Sequence, residues 1–128
     1  MPKTIELPLD PQEGVRVLEL VKAYRELPGH AYAAASEDSI LRMIFTGGIF
    51  KNKDRETAQR LTPPPTLSAR SLTSDDATLA DLAKLSEKWK LSTDEVLRIV
   101  VVDGLAYVEE ALDAFQRGHK TVPAKGSA

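Results

Sequence analysis

The residues that could carry enzyme chemistry are few in this chain, and they stand far apart. Cysteine is absent, which excludes thiolate nucleophiles, thiolate metal sites and disulfides. The two histidines, His30 and His119, fall in a predicted loop and in the C-terminal segment, and neither belongs to an HExxH pattern. The sequence has no glycine-rich phosphate loop and no serine in a nucleophile elbow. We therefore expect no enzyme activity, no metal, no cofactor and no small-molecule substrate.

Charged and helix-capping residues recur instead at a constant spacing. The segment 36–50, SEDSILRMIFTGGIF, aligns without gaps with 92–106, STDEVLRIVVVDGLA, 56 positions further along the chain. Five aligned pairs are identical, namely Ser36/Ser92, Asp38/Asp94, Leu41/Leu97, Arg42/Arg98 and Gly48/Gly104. Upstream, Thr4-Ile5 matches Thr66-Leu67 at 62 positions. The sequence therefore predicts an internal repeat with a six-residue insertion in its first copy.

Each copy is predicted to contain one strand and two helices. The expected elements are, in order, a strand at 3–9, helices at 11–26 and 37–50, a strand at 66–72 and helices at 75–88 and 96–115. The first strand alternates, with Ile5, Leu7 and Leu9 on its inner side. In the weaker second strand, Leu67 and Ala69 are expected to face inward. The helix that follows Ser92–Glu95, a capping box, has apolar residues around much of its surface and requires burial on several sides.

A single copy cannot fold stably alone, because its one strand has no hydrogen-bonding partner and its second helix has too few residues to pack against. We therefore expect a mainly α fold with a two-stranded antiparallel β-ribbon, one strand coming from each copy. This gives one intertwined domain over 1–116, made of repeat one (3–50), a linker (51–65) and repeat two (66–116). A disordered tail is expected over 117–128.

This layout resembles the ribbon-helix-helix superfamily of Arc, MetJ and CopG-like repressors. The resemblance covers 66–113 and is carried by LADLAKLSEKWKLSTDEVLRIVVVDGLAYVEEAL, in which the family cadence falls on Ser92, Val96, Arg98, Gly104 and Leu105. Two fused copies in one chain are similar to the single-chain, pseudodimeric members, which include an accessory DNA-binding protein of bacterial T-DNA transfer. The resemblance implies a ribbon that enters the major groove of double-stranded DNA.

The same resemblance assigns the contacts. Base reading would fall to the outward side chains of both strands, which are Thr4, Glu6 and Pro8 on one and Thr66, Ser68 and Arg70 on the other. The guanidinium of Arg70 could bind O6 and N7 of guanine, whereas Glu6 departs from the pattern because a carboxylate is unfavourable among phosphates. Phosphate binding would fall to Lys3, Lys90 and the helix starts at Ser36, Ser92 and Thr93.

Arg42 and Arg98 recur at the same place in an apolar helix. We expect them to pair with carboxylates or to cover the core rather than to touch DNA.

The charge distribution leaves two functions open. The net charge is -2, but 1–50 and 66–115 together sum to -7, and the basic residues concentrate in the linker and in the tail. The first hypothesis is a cytoplasmic transcriptional regulator, or an accessory factor in plasmid or T-DNA transfer or partition. Such a protein would bind double-stranded DNA weakly alone, or would rely on its basic flanks, on oligomerisation or on a protein partner. The alternative is a ribbon-helix-helix interaction module or antitoxin without strong DNA binding. No signal peptide or membrane span is expected.

Overall fold

The computed structural model describes residues 3–29 and 31–127, with side chains as far as Gly118. His30 and the side chain of His119 therefore lie outside the described residues. The elements are β1 (Lys3–Leu9), α1 (Pro11–Arg25), α2 (Glu37–Asn52), β2 (Ser68–Ser74), α3 (Asp76–Trp89) and α4 (Thr93–Ser127). The protein is thus mainly helical with a two-stranded antiparallel sheet, as the sequence predicts, and each half has the order strand, helix, helix.

The two strands pair antiparallel over their full length to form a β-ribbon. Lys3 lies opposite Ser74, Ile5 opposite Leu72, and Leu9 opposite Ser68. Side chains alternate across a strand, so Leu7, Leu9 and Leu72 point into the core while their neighbours point to the other side. The ribbon consequently covers one side of the helices and exposes its second face.

Helices α2 and α4 form the centre of the core and touch through their backbones. A Cβ atom added to Gly48 would lie 2.2 Å from the carbonyl oxygen of Val100, and one added to Gly104 would lie 1.9 Å from that of Ile44. Both distances are far below van der Waals contact, so only glycine permits this crossing. The recurrence of these two glycines in the aligned segments therefore has a packing cause.

The largest buried side chains around this crossing come from every element of the fold. Tyr24 and Trp89 close the ends of α1 and α3, and each donates to a backbone carbonyl: the Tyr24 hydroxyl to Val108 at 3.1 Å, and Trp89 Nε1 to Arg55 at 2.9 Å. Buried polar groups are stable only with such partners. The halves therefore share one hydrophobic interior.

Three boundaries differ from the sequence prediction. The second strand was expected at 66–72 and occupies Ser68–Ser74. The caps of α1 and α3, Asp10 and Asp75, are 65 positions apart, so the extra length of the first half is nine residues instead of six. The sequence predicts a disordered tail over 117–128, whereas α4 continues to Ser127.

Candidate nucleic-acid interface

The exposed face of the ribbon is the surface on which the sequence places base-reading residues. We call it the outer face, and it is formed by three cross-strand pairs: Thr4 with Thr73, Glu6 with Ser71, and Pro8 with Ala69. All but the half-buried Pro8 are exposed. The placement of Thr4, Glu6 and Pro8 on this face agrees with the alternation predicted for the first strand.

The expected orientation of the second strand is wrong. Ser68 and Arg70 lie on the same side as the buried Leu72, and Thr66 precedes the strand. Leu67 and Leu72 are five positions apart, so a strand cannot turn both inward. Leu72 takes the inner side because it pairs with Ile5 and packs into the core, while Leu67 stays partly exposed before the strand begins.

Arg70, the residue expected to bind guanine, is directed to the inner side of the ribbon. Its Nη1 atom lies 2.5 Å from a carboxylate oxygen of Glu37 at the start of α2. A Cβ atom on Gly14 would lie 3.2 Å from its Nη2 atom, so the guanidinium also fills space beside α1. Arg70 therefore connects β2 to α1 and α2 and does not belong to the outer face.

The outer face gains three residues that the sequence prediction did not place there: Ser71 and Thr73, which it missed, and Ala69, which it turned inward. A signal was available, because Asp10 and Asp75 are both followed by helices and are 65 positions apart. Applied to the strands, this spacing aligns Leu7 with Leu72 and leaves Ser71 and Thr73 outward. The shorter spacing of 62 came from two short sequence matches, Thr4-Ile5 with Thr66-Leu67 and Leu20-Val21-Lys22 with Leu82-Ala83-Lys84. The structure instead places the equivalent helix caps 65 positions apart.

Helix α2 begins at one edge of the ribbon, where Ser36 and Ser39 form a reciprocal capping box. Ser36 Oγ accepts from the Ser39 amide at 3.2 Å, and the Ser36 amide donates to Ser39 Oγ at 2.8 Å. Glu37 and Asp38 fill the first turn, and Asp38 also accepts from the Thr73 amide at 3.3 Å. Acidic residues here stabilise the positive end of the helix. They also repel a phosphate approaching Ser36.

Helix α4 begins beside the other end of the ribbon with the predicted capping box. The Ser92 amide donates to Glu95 at 2.9 Å, and the Glu95 amide donates to Ser92 Oγ at 3.2 Å. The hydrogen bond from the Ser92 backbone holds the pKa of Glu95 below its ordinary value, with a smaller contribution from Arg60. The carboxylate already occupies this helix start, so a phosphate at Ser92 or Thr93 must compete with it.

The two lysines assigned to phosphate binding are both exposed. Lys3 lies at the first position of β1, opposite Ser74. Lys90 ends α3 in the left-handed backbone conformation, with φ of 57°. Both can reach solvent, but neither belongs to the outer face. The ionisable group of that face, among the described residues, is Glu6.

The recurrent arginines pair with carboxylates, as expected. Arg98 binds Glu13 through Nη1 at 2.8 Å and Nη2 at 3.3 Å, and its Nη1 also donates to the Pro8 carbonyl at 2.8 Å. Arg98 Nε is buried and has no hydrogen-bond partner. Arg42 contacts Asp38 at 3.0 Å on the surface of α2.

Compared with known protein families, with curated proteins and with solved structures, this chain matches none of them. Within the described part of the chain, no cluster of three or more His, Cys, Asp or Glu side chains is placed to hold a metal ion. No helix in the described residues combines the length and apolar character needed to cross a membrane.

Proposed function

We propose that this protein is a tandem ribbon-helix-helix pseudodimer in a single chain, and that it binds double-stranded DNA by inserting the outer face into the major groove. The order strand-helix-helix occurs twice, each half supplies one strand of the ribbon, and the aligned glycines of α2 and α4 meet at the crossing. These features support the pseudodimer. The major groove admits a two-stranded ribbon.

The observation that carries the DNA proposal is the composition of the outer face. It combines short hydroxyl side chains, Thr4, Ser71 and Thr73, with Pro8 and Ala69 at one end. Hydroxyls donate and accept, so they can bond to base edges of either kind, and small apolar groups can contact the methyl group of thymine. Glu6 can accept from N4 of cytosine.

This face makes the proposed recognition directional. The strands contribute different side chains at matched positions, with Glu6 opposite Ser71 and Pro8 opposite Ala69. A homodimer would present two identical strands and favour a palindromic site. We expect this chain to prefer a non-palindromic sequence.

The same face predicts modest affinity. Nonspecific DNA binding depends on cations that displace counterions, and the outer face carries a carboxylate. With acidic first turns at α2 and α4, few phosphates would be neutralised. We expect binding at low salt, with a shallower decrease as salt rises than a basic protein would show.

The test is selection from a random duplex library at low salt, followed by fluorescence anisotropy on the enriched duplex. A Ser71→Ala/Thr73→Ala variant should lose about 1–3 kcal/mol of preference for that duplex over bulk DNA. Thr57→Ala, an exposed change in the linker, serves as the matched control. Arg70→Ala should leave the sequence preference unchanged, because this side chain points inward. If no duplex is enriched over bulk DNA, the proposal is wrong.

A second candidate is the protein-interaction module, and exposed aromatic residues on α2 and α4 favour it. Phe50 is 66% exposed, its ring centre lies 6.2 Å from that of Tyr107, and Lys51 lies over the Tyr107 ring. Such a patch is typical of association surfaces. Sedimentation equilibrium distinguishes the candidates: self-association that Phe50→Ser abolishes, without enrichment of any duplex, would favour this module.

A further inference from the structure

A cavity of about 420 Å³ lies where the linker passes between the ribbon and the start of α4. Its apolar wall comes mainly from the linker side, through Leu61, Pro63 and Leu67, with Pro8 on the ribbon. Leu61 is 40% exposed and Leu67 is 39% exposed. This volume falls within the range of small-molecule pockets, and the exposed leucines provide apolar surface that a ligand could cover.

Hydrogen bonds and an ion pair hold the linker against the helices at several points. The Trp89 indole donates to the Arg55 carbonyl at 2.9 Å, and Lys88 Nζ donates to the Lys53 carbonyl at 3.1 Å. At the cavity itself, Arg60 lies 3.6 Å from Glu95 of α4. A pocket whose walls are already in place costs less ordering on binding.

The charges around the cavity do not cancel. The two arginines that line it are both paired, Arg98 with the buried Glu13 and Arg60 with Glu95. The side chains of Glu6 and Asp94 also line it. Among the described residues, neither carboxylate has a hydrogen-bond or ion-pair partner. Two unpaired carboxylates thus face an apolar pocket.

We propose that this cavity binds a small organic cation with an apolar body, such as an aryl or alkyl ammonium ion. The leucine and proline wall would take the apolar part, and Glu6 and Asp94 would stabilise the charge. A hard metal ion lacks a suitable set of ligands here, because no metal-binding cluster occurs among the described residues. The cavity shares Glu6, Pro8 and Ala69 with the outer face, so a bound cation and DNA would compete for this end of the ribbon. The cation proposal does not require that the face binds DNA.

The experiment is an NMR titration of the full chain, without DNA, using three probes of similar size. They are 2-phenylethylammonium, the neutral 2-phenylethanol and the anionic phenylacetate. With the cation, we expect saturable shifts of the backbone amides at 6–7, 61–62, 66–69 and 94–98. The alcohol should bind at least about fivefold more weakly. Phenylacetate should bind least.

Variants separate the charges from the apolar wall. Glu6→Gln/Asp94→Asn should reduce cation affinity to that of the alcohol, while Glu19→Gln/Glu87→Gln, which neutralises two exposed carboxylates elsewhere, should not. Leu61→Ser/Leu67→Ser should lower the affinity for the cation and for the alcohol by a similar factor. Each variant's own spectrum verifies its fold. Equal affinity for cation and alcohol in the parent chain, shifts confined to other regions, or no saturation up to about 10 mM would each overturn the proposal.

Discussion

Arg98 and Arg42 occupy the same position of the aligned segments, but their surroundings differ completely. The Arg98 side chain is 10% exposed and joins α4 to Glu13 of α1 and to the backbone of β1. The Arg42 side chain is 53% exposed and turns back to Asp38 on its own helix. Beside Arg42, a cavity of about 470 Å³ stays open between α2, β2 and the start of α3.

The difference follows from the residue three positions after each helix cap. After Asp10 this residue is Glu13, whose carboxylate accepts from the Asp10 amide and also binds Arg98. After Asp75 it is Thr78, which offers no charge to a guanidinium. We infer that this one acidic side chain decides whether the recurrent arginine turns towards the core. A repeated motif does not by itself fix a repeated contact.

The largest expected loss of stability follows from removing one partner of the buried ion pair between Arg98 and Glu13. Arg98→Met would leave Glu13 buried without its cation and should lower the free energy of unfolding by about 3–5 kcal/mol. Arg42→Met, the matched change on the surface, should alter it by about 0.5 kcal/mol or less. Urea denaturation measures both. Similar losses in the two variants would mean that the arginines are energetically equivalent after all.

Replacing both partners should restore much of that loss. In Glu13→Leu/Arg98→Met no charge remains buried, and we expect recovery of about 2 kcal/mol or more relative to Arg98→Met. Adding the denaturation curve of the single variant Glu13→Leu completes a double-mutant cycle, which gives the coupling between the two side chains. The result would contradict the proposed cause if the two losses were additive.

Tyr24 and Trp89, which are also 65 positions apart, extend the comparison to pH. Burial raises the pKa of Tyr24 to about 12, above the ordinary value of 10.0. Its stabilising contribution is therefore complete below pH 10 and decreases as the pH rises towards 12. Tyr24→Phe should lose about 1 kcal/mol at neutral pH and should show a smaller decline in that alkaline range. Denaturation at several pH values measures this, and an unchanged decline would refute it.

The smallest expected change in stability comes from giving Arg42 the surroundings of Arg98. Thr78→Glu combined with Asp38→Asn supplies an inner carboxylate and removes the outer one. We expect Arg42 to turn inward, with a stability change within about 1 kcal/mol. The measurement is hydrogen exchange of the Arg42 Nε–H by NMR, which should slow. Unchanged exchange would show that Thr78 is not the deciding residue.

Much of the fold was predictable because its signals are local. Alternation identified the first strand, and capping residues such as Ser92 and Glu95 marked helix starts. The second strand contains one large apolar residue, Leu72, so its position and orientation depended on packing that no local pattern reveals. For the same reason the outer face was only half predicted. The contact of Arg98 with Glu13, 85 positions away, is likewise invisible locally.

The distance along the chain between the paired strands has a consequence for synthesis. Leu9 pairs with Ser68, so the ribosome adds Leu9 to the chain 59 residues before the first residue of its partner strand. At about 5–20 residues per second, the nascent strand waits several seconds with its backbone amides unpaired and its leucines exposed. During that interval it is a substrate for chaperones and proteases, and folding must follow translation of the second half.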